Sequence, residues 1–203
     1  MTVPRSVTLA WTGASGLPYG VRLLEQLLAA GIRVWLLVTP AAQIVARQEM
    51  DWELPGRPDQ LQAELEARWP QAAGLLQVLG REEWFAPIAS GSSPADAMVV
   101  CPCTMGALAA ISQGLSENLL ERAADVCIKE QRKLILVPRE TPFSVLHLEN
   151  MLRLARMGVV ILPPAPGFYH LPREIGDLVD FVVARVLDQL QVPHRLMPRW
   201  GEN

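Results

Sequence analysis

The chain reads as one α/β unit built on a parallel sheet. Short apolar runs alternate with stretches of helical periodicity from end to end, the pattern of β-α-β units. The runs can be continuously apolar, as in Val159-Val160-Ile161-Leu162, which suits strands covered on both faces. A glycine-rich turn, Thr12-Gly13-Ala14-Ser15-Gly16, stands between the first run and the first amphipathic stretch. The expected class is a Rossmann-like (flavodoxin-like) parallel sheet with helices on both faces. Residues 1–203 are expected to form a single domain, with a C-terminal tail from about residue 191.

Taken in order, Val7–Trp11 is the first strand, an apolar run ending at the glycine-rich turn. The helix Tyr19–Ala30 follows, with Val21, Leu23, Leu24, Leu27 and Leu28 at helical spacing. Val34–Val38 is the second strand and Ala41–Gln48 the helix after it. Pro55 and Pro58 mark a loop, not a domain boundary, and Leu61–Trp69 is the next helix. Leu75–Leu79 and Ala97–Cys101 are the third and fourth strands. Helices at Gly106–Gln113 and Asn118–Glu130 lead to the fifth, Leu134–Val137. Ser144–Met157 leads to the sixth, Val159–Leu162, and Gly176–Leu190 is the last helix.

Composition narrows the class further. A chain of 203 residues can bury a substantial core. Half of it is hydrophobic and its mean hydropathy is +0.20, rich for a lone soluble domain, so contacts between copies of the chain are expected. A net charge of −3 and the lack of a basic block argue against nucleic acid. No apolar run reaches the roughly 18 residues that span a bilayer. Pro4 and Arg5 ahead of the turn leave no room for a signal peptide. Cys101-Pro102-Cys103 is neither a C-x-x-C redox motif nor half of a zinc site. A reduced, metal-free, cytoplasmic protein is expected, without a membrane partner.

Ligands of a parallel sheet bind beyond the carboxyl ends of its strands. The segments leaving those ends are Gly13 to Gly16, Thr39-Pro40, Trp84 with Ser90 to Ser93, Pro102 to Gly106, Pro138 to Phe143, and Pro163 to His170. The first exposes helix-start amides that favour a phosphate, although a turn that binds nothing is an open alternative. Its spacing is not G-x-G-x-x-G and no Lys-Ser/Thr follows, so neither a dinucleotide site nor a Walker-type loop is indicated. Ser15, Thr39, Ser90, Gly91 and Thr104 to Ala107 suit a phosphate and a polar ring, with Met105 and Trp84 for soft or aromatic contact. Arg122, Lys129, Arg139 and Arg185, with Tyr169, are expected to bring phosphate-binding groups to the same edge. Each has a plainer reading. Lys129 opens a charged run that could be a solvated helix end, and Arg185 could lie in a surface salt bridge. Arg122 could pair with Glu121 or Asp125, and Glu140 could pair with Arg139 or cap the next helix. His147 is expected to be structural and Cys103 to be packing.

Six stretches, Thr12–Gly16, Cys101–Gly106, Asn118–Val126, Leu136–Pro142, His147–Met151 and Pro163–Tyr169, resemble in this order the UbiX-type flavin prenyltransferases. These belong to the flavoprotein superfamily of cysteine decarboxylases. The likeness runs from about Val7 to Trp200. It implies an enzyme that joins a dimethylallyl group, from dimethylallyl monophosphate, to N5 and C6 of reduced FMN without a metal. The product, prenylated FMN, would serve UbiD-type decarboxylases, with a link to ubiquinone biosynthesis, and the assembly would be a dodecamer. By position the resemblance implies FMN contacts at Gly13, Ala14, Ser15, Thr39, Thr104, Met105, Gly106, Ala107 and Arg139. Thr39 stands where a serine is common and keeps the hydroxyl. Prenyl-phosphate contacts are implied at Ser90, Gly91, Arg122, Lys129, Tyr169 and Arg185, with Arg122 and Lys129 reaching across a subunit interface. Trp84 would contact the prenyl group. Glu140 and Ser15 match the proton-handling pair, with Lys129 and Glu49 as further catalytic groups. The related cysteine decarboxylases carry an Asn-bearing motif after the fourth strand, and Cys101–Gly106 has no Asn. A flavin-storing subunit without chemistry would not need a second phosphate site.

Overall fold

A computed structural model describes residues 3–198 and Gly201; Trp200, where the family likeness was expected to end, and the last residues of the expected tail lie outside the described residues. The strands are β1 Ser6–Trp11, β2 Arg33–Val38, β3 Leu76–Leu79, β4 Ala97–Cys103, β5 Lys133–Pro138 and β6 Val160–Ile161. The helices are α1 Leu17–Ala29, α2 Pro40–Met50, α3 Pro58–Arg68, α4 Met105–Gln113, α5 Leu119–Lys129, α6 Val145–Arg156 and α7 Ile175–Leu190. Each matches an expected element, and no boundary differs by more than 3 residues. All pairings are parallel, in the order β3-β2-β1-β4-β5-β6.

Apolar residues on both faces of the strands explain the continuous runs. In β1, Val7, Leu9 and Trp11 join a core with α1, α3 and α7, while Ala10 joins a second core with α4, α5 and α6. In β4, Val99 and Cys101 face the first core and Met98, Val100 and Cys103 the second. Burial pushes the Cys103 thiol up to about 12, which makes it a poor nucleophile at neutral pH and fits its expected packing role. Hydroxyl and amide side chains start four of the helices. Thr39, Thr104, Asn118 and Ser144 accept from the amides of Ala42, Ala107, Glu121 and His147, each satisfying a donor the helix leaves over. His147 completes a capping box, its Nδ1 accepting from Ser144 N–H at 3.2 Å, the structural role expected of it.

The sheet order places the topological switch between β1 and β4, whose sequence neighbours depart in opposite directions. A crevice at the carboxyl ends of these two strands is where such a sheet binds its ligand. Among the described residues no helix is long and apolar enough to cross a membrane. Nor does any group of three or more His, Cys, Asp or Glu side chains among them suit a metal ion.

Candidate functional site

Thr12 holds the two sides of the switch together. Its buried Oγ1 donates to the Pro102 carbonyl at 2.7 Å and accepts from Thr104 N–H at 2.9 Å. The loop after β1 is thereby tied to the start of α4. Thr39 N–H donates to the Trp11 carbonyl at 3.0 Å, and Arg139 N–H to the Cys103 carbonyl at 3.3 Å. Gly13, Ala14, Ser15, Thr39, Thr104 to Ala107, Arg139 and Glu140 therefore share one edge, as expected. Thr12 carried no assigned role in the sequence reading, yet its place at the strand end, ahead of the glycines, was the available signal.

The amides at the start of α1 are not free. Gly16 is the N-cap at φ 106°, a left-handed conformation that glycine adopts without a Cβ penalty. Its N–H donates to Glu49 Oε2 at 2.9 Å, and Leu17 N–H donates to the same oxygen at 3.1 Å. The carboxylate of α2 thus occupies the positive end of α1, which corrects the expectation that this turn leaves its donors exposed for a phosphate. Tyr19 lies one turn on, its phenol pKa raised by burial and further by Cys101 and the Glu49 carboxylate.

A cleft of about 220 Å³ opens beside the switch, lined by Thr39, Leu79, Arg81, Gly106, Ala107 and Glu121 among others. It lies between the N-termini of α2 and α4. The first two amides of α4, at Met105 and Gly106, precede the point where a helix can satisfy its own donors. A methyl group on Gly106 would meet only Thr104 Oγ1, at 4.0 Å, so that backbone is open to a ligand. Oriented amides, hydroxyl caps and an arginine suit a phosphomonoester, and FMN carries one. A larger cavity of about 790 Å³ lies at the opposite edge, among Arg5, Lys133, Gly158 and Gln191. The C-termini of α5, α6 and α7 meet there, and Lys133 Nζ donates to the Gln189 carbonyl at 2.7 Å. That cavity lies at the amino edge, away from the strand carboxyl ends where such a sheet binds its ligand, so the smaller cleft is the functional candidate.

The expected prenyl-phosphate groups divide. Lys129 ends α5, and the chain then turns into Lys133, the first residue of β5. Arg139 follows the far end of that strand, about 20 Å away for six extended residues. Gly91 lies against this end of α5, since a methyl group on it would stand 2.5 Å from Lys129 Nζ. Arg122 Nε donates to the Ala89 carbonyl at 2.9 Å and its guanidinium pairs with Asp125 at 2.8 Å, while Lys129 pairs with Glu130. Gly91 and Lys129, with Ser90 beside them, thus lie toward the amino edge, correcting the expectation that all the cations meet on the carboxyl edge, while Arg122 stays on the first turn of α5 next to the cleft-lining Glu121. The reason is topological: a parallel sheet returns the chain to its amino edge before each strand, and β4 begins at Ala97. Arg185 is also displaced, pairing with Asp188 at 2.7 Å about 15 Å along α7 from its start.

Tyr169 stands half-exposed in the loop after β6, its ring edge-on to Phe181 of α7 at 5.7 Å. Trp84 is 44 % exposed on the connection after β3. Glu140 Oε1 accepts from the next backbone amide, Thr141 N–H, at 3.0 Å. Among the described residues it makes no ion pair with Arg139, so neither of its plainer readings holds.

Comparison with known proteins shows the family. The Flavoprotein family matches residues 1–187. Flavin prenyltransferase UbiX of Pseudomonas aeruginosa is 54% identical over 202 residues, covering 100% of this chain and 97% of that protein. Among solved structures, AnUbiX in complex with FMN and dimethylallyl pyrophosphate superposes with a TM-score of 0.86 at 37% identity, covering 98% of each chain. A dodecameric FMN-dependent UbiX-like decarboxylase from Escherichia coli O157:H7 gives 0.83 at 39% identity, over 97% of this chain and 99% of that one. With a family match over most of its length and a relative this similar, the chain belongs to the UbiX branch of the Flavoprotein family.

Proposed function

We propose that this protein is a flavin prenyltransferase. It transfers the dimethylallyl group of dimethylallyl monophosphate to N5 and C6 of reduced FMN, releases phosphate, and supplies prenylated FMN to a UbiD-type decarboxylase. The observation that carries the reading is that Gly13–Ser15, Thr39, Thr104–Ala107, Arg139 and Glu140 follow the carboxyl ends of the strands around the β1/β4 switch, where Thr12 ties the β1 loop to the start of α4. We read residues 1–203 as one cytoplasmic flavoprotein domain with a tail from about residue 191, assembled as a dodecamer.

In this reading the α4 amides with Thr39 and Arg139 hold FMN, whose reduced ring supplies an electron-rich acceptor for the allyl group. Ser90, Gly91, Arg122, Lys129, Tyr169 and Arg185 hold the prenyl phosphate. Breaking the prenyl–oxygen bond leaves negative charge on phosphate, which fixed cations stabilise without a metal. Trp84 offers an aromatic face to the positive allyl fragment. Glu140, paired in this reading with Ser15, takes the C6 proton lost as the second bond, from the prenyl group to flavin C6, closes the ring, and Glu49 is a further carboxylate near the phosphate. Because Lys129 lies toward the amino edge of a single subunit, a neighbouring copy is needed to bring it, with Arg122 of the same helix, to the site.

The test is anaerobic incubation of the pure protein with reduced FMN and dimethylallyl monophosphate, followed by mass spectrometry of the flavin. A prenylated, cyclised flavin is expected; unchanged FMN would overturn the reading. Arg139→Ala should weaken FMN binding about tenfold or more, the effect of losing a charge-assisted hydrogen bond. Wild-type flavin content after purification would remove Arg139 from the FMN site.

A further inference from the structure

We propose that Arg81 is a further ligand of the FMN phosphate, and that it gives the site its preference for FMN over riboflavin. The proposal rests on the FMN reading above. Arg81 directly follows Gly80 at the carboxyl end of β3 and is, among the described residues, the only cation lining the 220 Å³ cleft. Its carbonyl accepts from Leu119 N–H at 2.8 Å, which anchors the residue to the start of α5.

Its guanidinium is left without a paired carboxylate among the described residues. The N-termini of α2 and α4 both open on this cleft through Thr39, Gly106 and Ala107, and each carries partial positive charge. Among the described residues the Arg81 guanidinium makes no hydrogen bond and no ion pair. Glu121 lines the same cleft, yet it makes no ion pair with Arg81 among the described residues, and its oxygens, like those of Glu83, accept from neutral amides. Glu83 accepts from Gly80 N–H at 2.8 Å, and Glu121 accepts from Glu117 N–H at 2.8 Å and Asn118 Nδ2 at 2.7 Å. An unpaired guanidinium facing two helix N-termini across a cleft is an arrangement that favours an incoming anion. A guanidinium also matches phosphate oxygens in two-point fashion. The terminal phosphate is the dianionic part of FMN, and riboflavin lacks it.

The experiment measures the dissociation constants of FMN and riboflavin by flavin fluorescence for the wild type, Arg81→Ala and Arg81→Lys, with circular dichroism melts for each. Arg81→Ala should lose about tenfold in FMN affinity and leave riboflavin affinity unchanged, with Arg81→Lys recovering part of the loss. KM for dimethylallyl monophosphate at saturating FMN should stay at its wild-type value. If the wild type prefers FMN and Arg81→Ala keeps that preference, the assignment is overturned while the FMN reading stands. A rise only in KM for the prenyl donor would move Arg81 to the other phosphate and also overturn it. If the wild type does not distinguish the two flavins, the FMN reading falls and the assignment with it.

Discussion

Glu140→Gln and Lys129→Ala proteins should each prenylate FMN very slowly when assembled alone, and should regain activity when co-assembled. Glu140 leaves the carboxyl end of β5, whereas Lys129 precedes its amino end. One chain therefore cannot bring both to one ligand of this size. Glu140→Gln keeps the shape of the side chain and removes the base, a change that costs roughly a hundredfold or more where a general base acts in the transition state. It should bind FMN normally and accumulate an adduct that has not cyclised. Lys129→Ala should instead fail at prenyl-phosphate cleavage. Where two copies build one site, random co-assembly of the two variants leaves roughly a quarter of the sites with both groups intact. Co-expression with two affinity tags, purification through both and a single-turnover assay measure that fraction. Recovery near a quarter supports a shared site. No recovery from a doubly tagged, correctly assembled protein would sink it, as would a monomer by light scattering that still forms the cyclised product.

Gly20→Ala should destabilise the protein more than any other glycine substitution around the switch. Helix α1 crosses so close to the sheet that a methyl group at Gly20 would collide with the Cys101 carbonyl, and would lie 2.8 Å from the Trp11 ring. Both obstacles are fixed, since Trp11 is wholly buried and Cys101 belongs to a central strand. Overpacking of this kind costs about 3 kcal/mol, which in a domain of this size lowers the melting temperature by about 6–12 °C. Gly106→Ala is the contrast, because its methyl group would enter open space over the α4 amides. It should melt with the wild type and lose flavin affinity instead. Equal melting temperatures for wild type and Gly20→Ala would show that α1 can shift, contrary to the packing described.

What could be read from the sequence follows from which interactions are local. Val99 and Ile135 lie in runs whose burial on both faces needs no partner to be recognised, so strands and helices emerged within three residues of their observed bounds. Thr39 and Thr104 announce themselves as helix caps and as strand-end residues together. Ser90 and Gly91 misled because they follow β3 in sequence, yet the connection has already returned to the amino edge beside Lys129. The seat of Glu49 on Gly16 and Leu17 depends on how α2 crosses α1, a tertiary fact with no periodic signature. Arg81 was overlooked for a simpler reason. It directly follows Gly80 at the end of β3, ahead of the more conspicuous Trp84, and its lack of a counterion becomes visible only once its neighbours are placed.

The carboxylate on the first turn of α1 makes anion capture there an exchange. Glu49 is tethered to the fold, so it competes at a high effective concentration that dilution does not lower. A phosphate arriving at Gly16 and Leu17 must outbid it or turn it aside, and its net affinity is the difference between two anions' attachment to the same pair of amides. Chloride or sulfate at ordinary strength gains little from such an exchange. The glycine turn is therefore electrostatically satisfied by the chain itself, and small bystander anions find no vacant amides at Gly16 and Leu17.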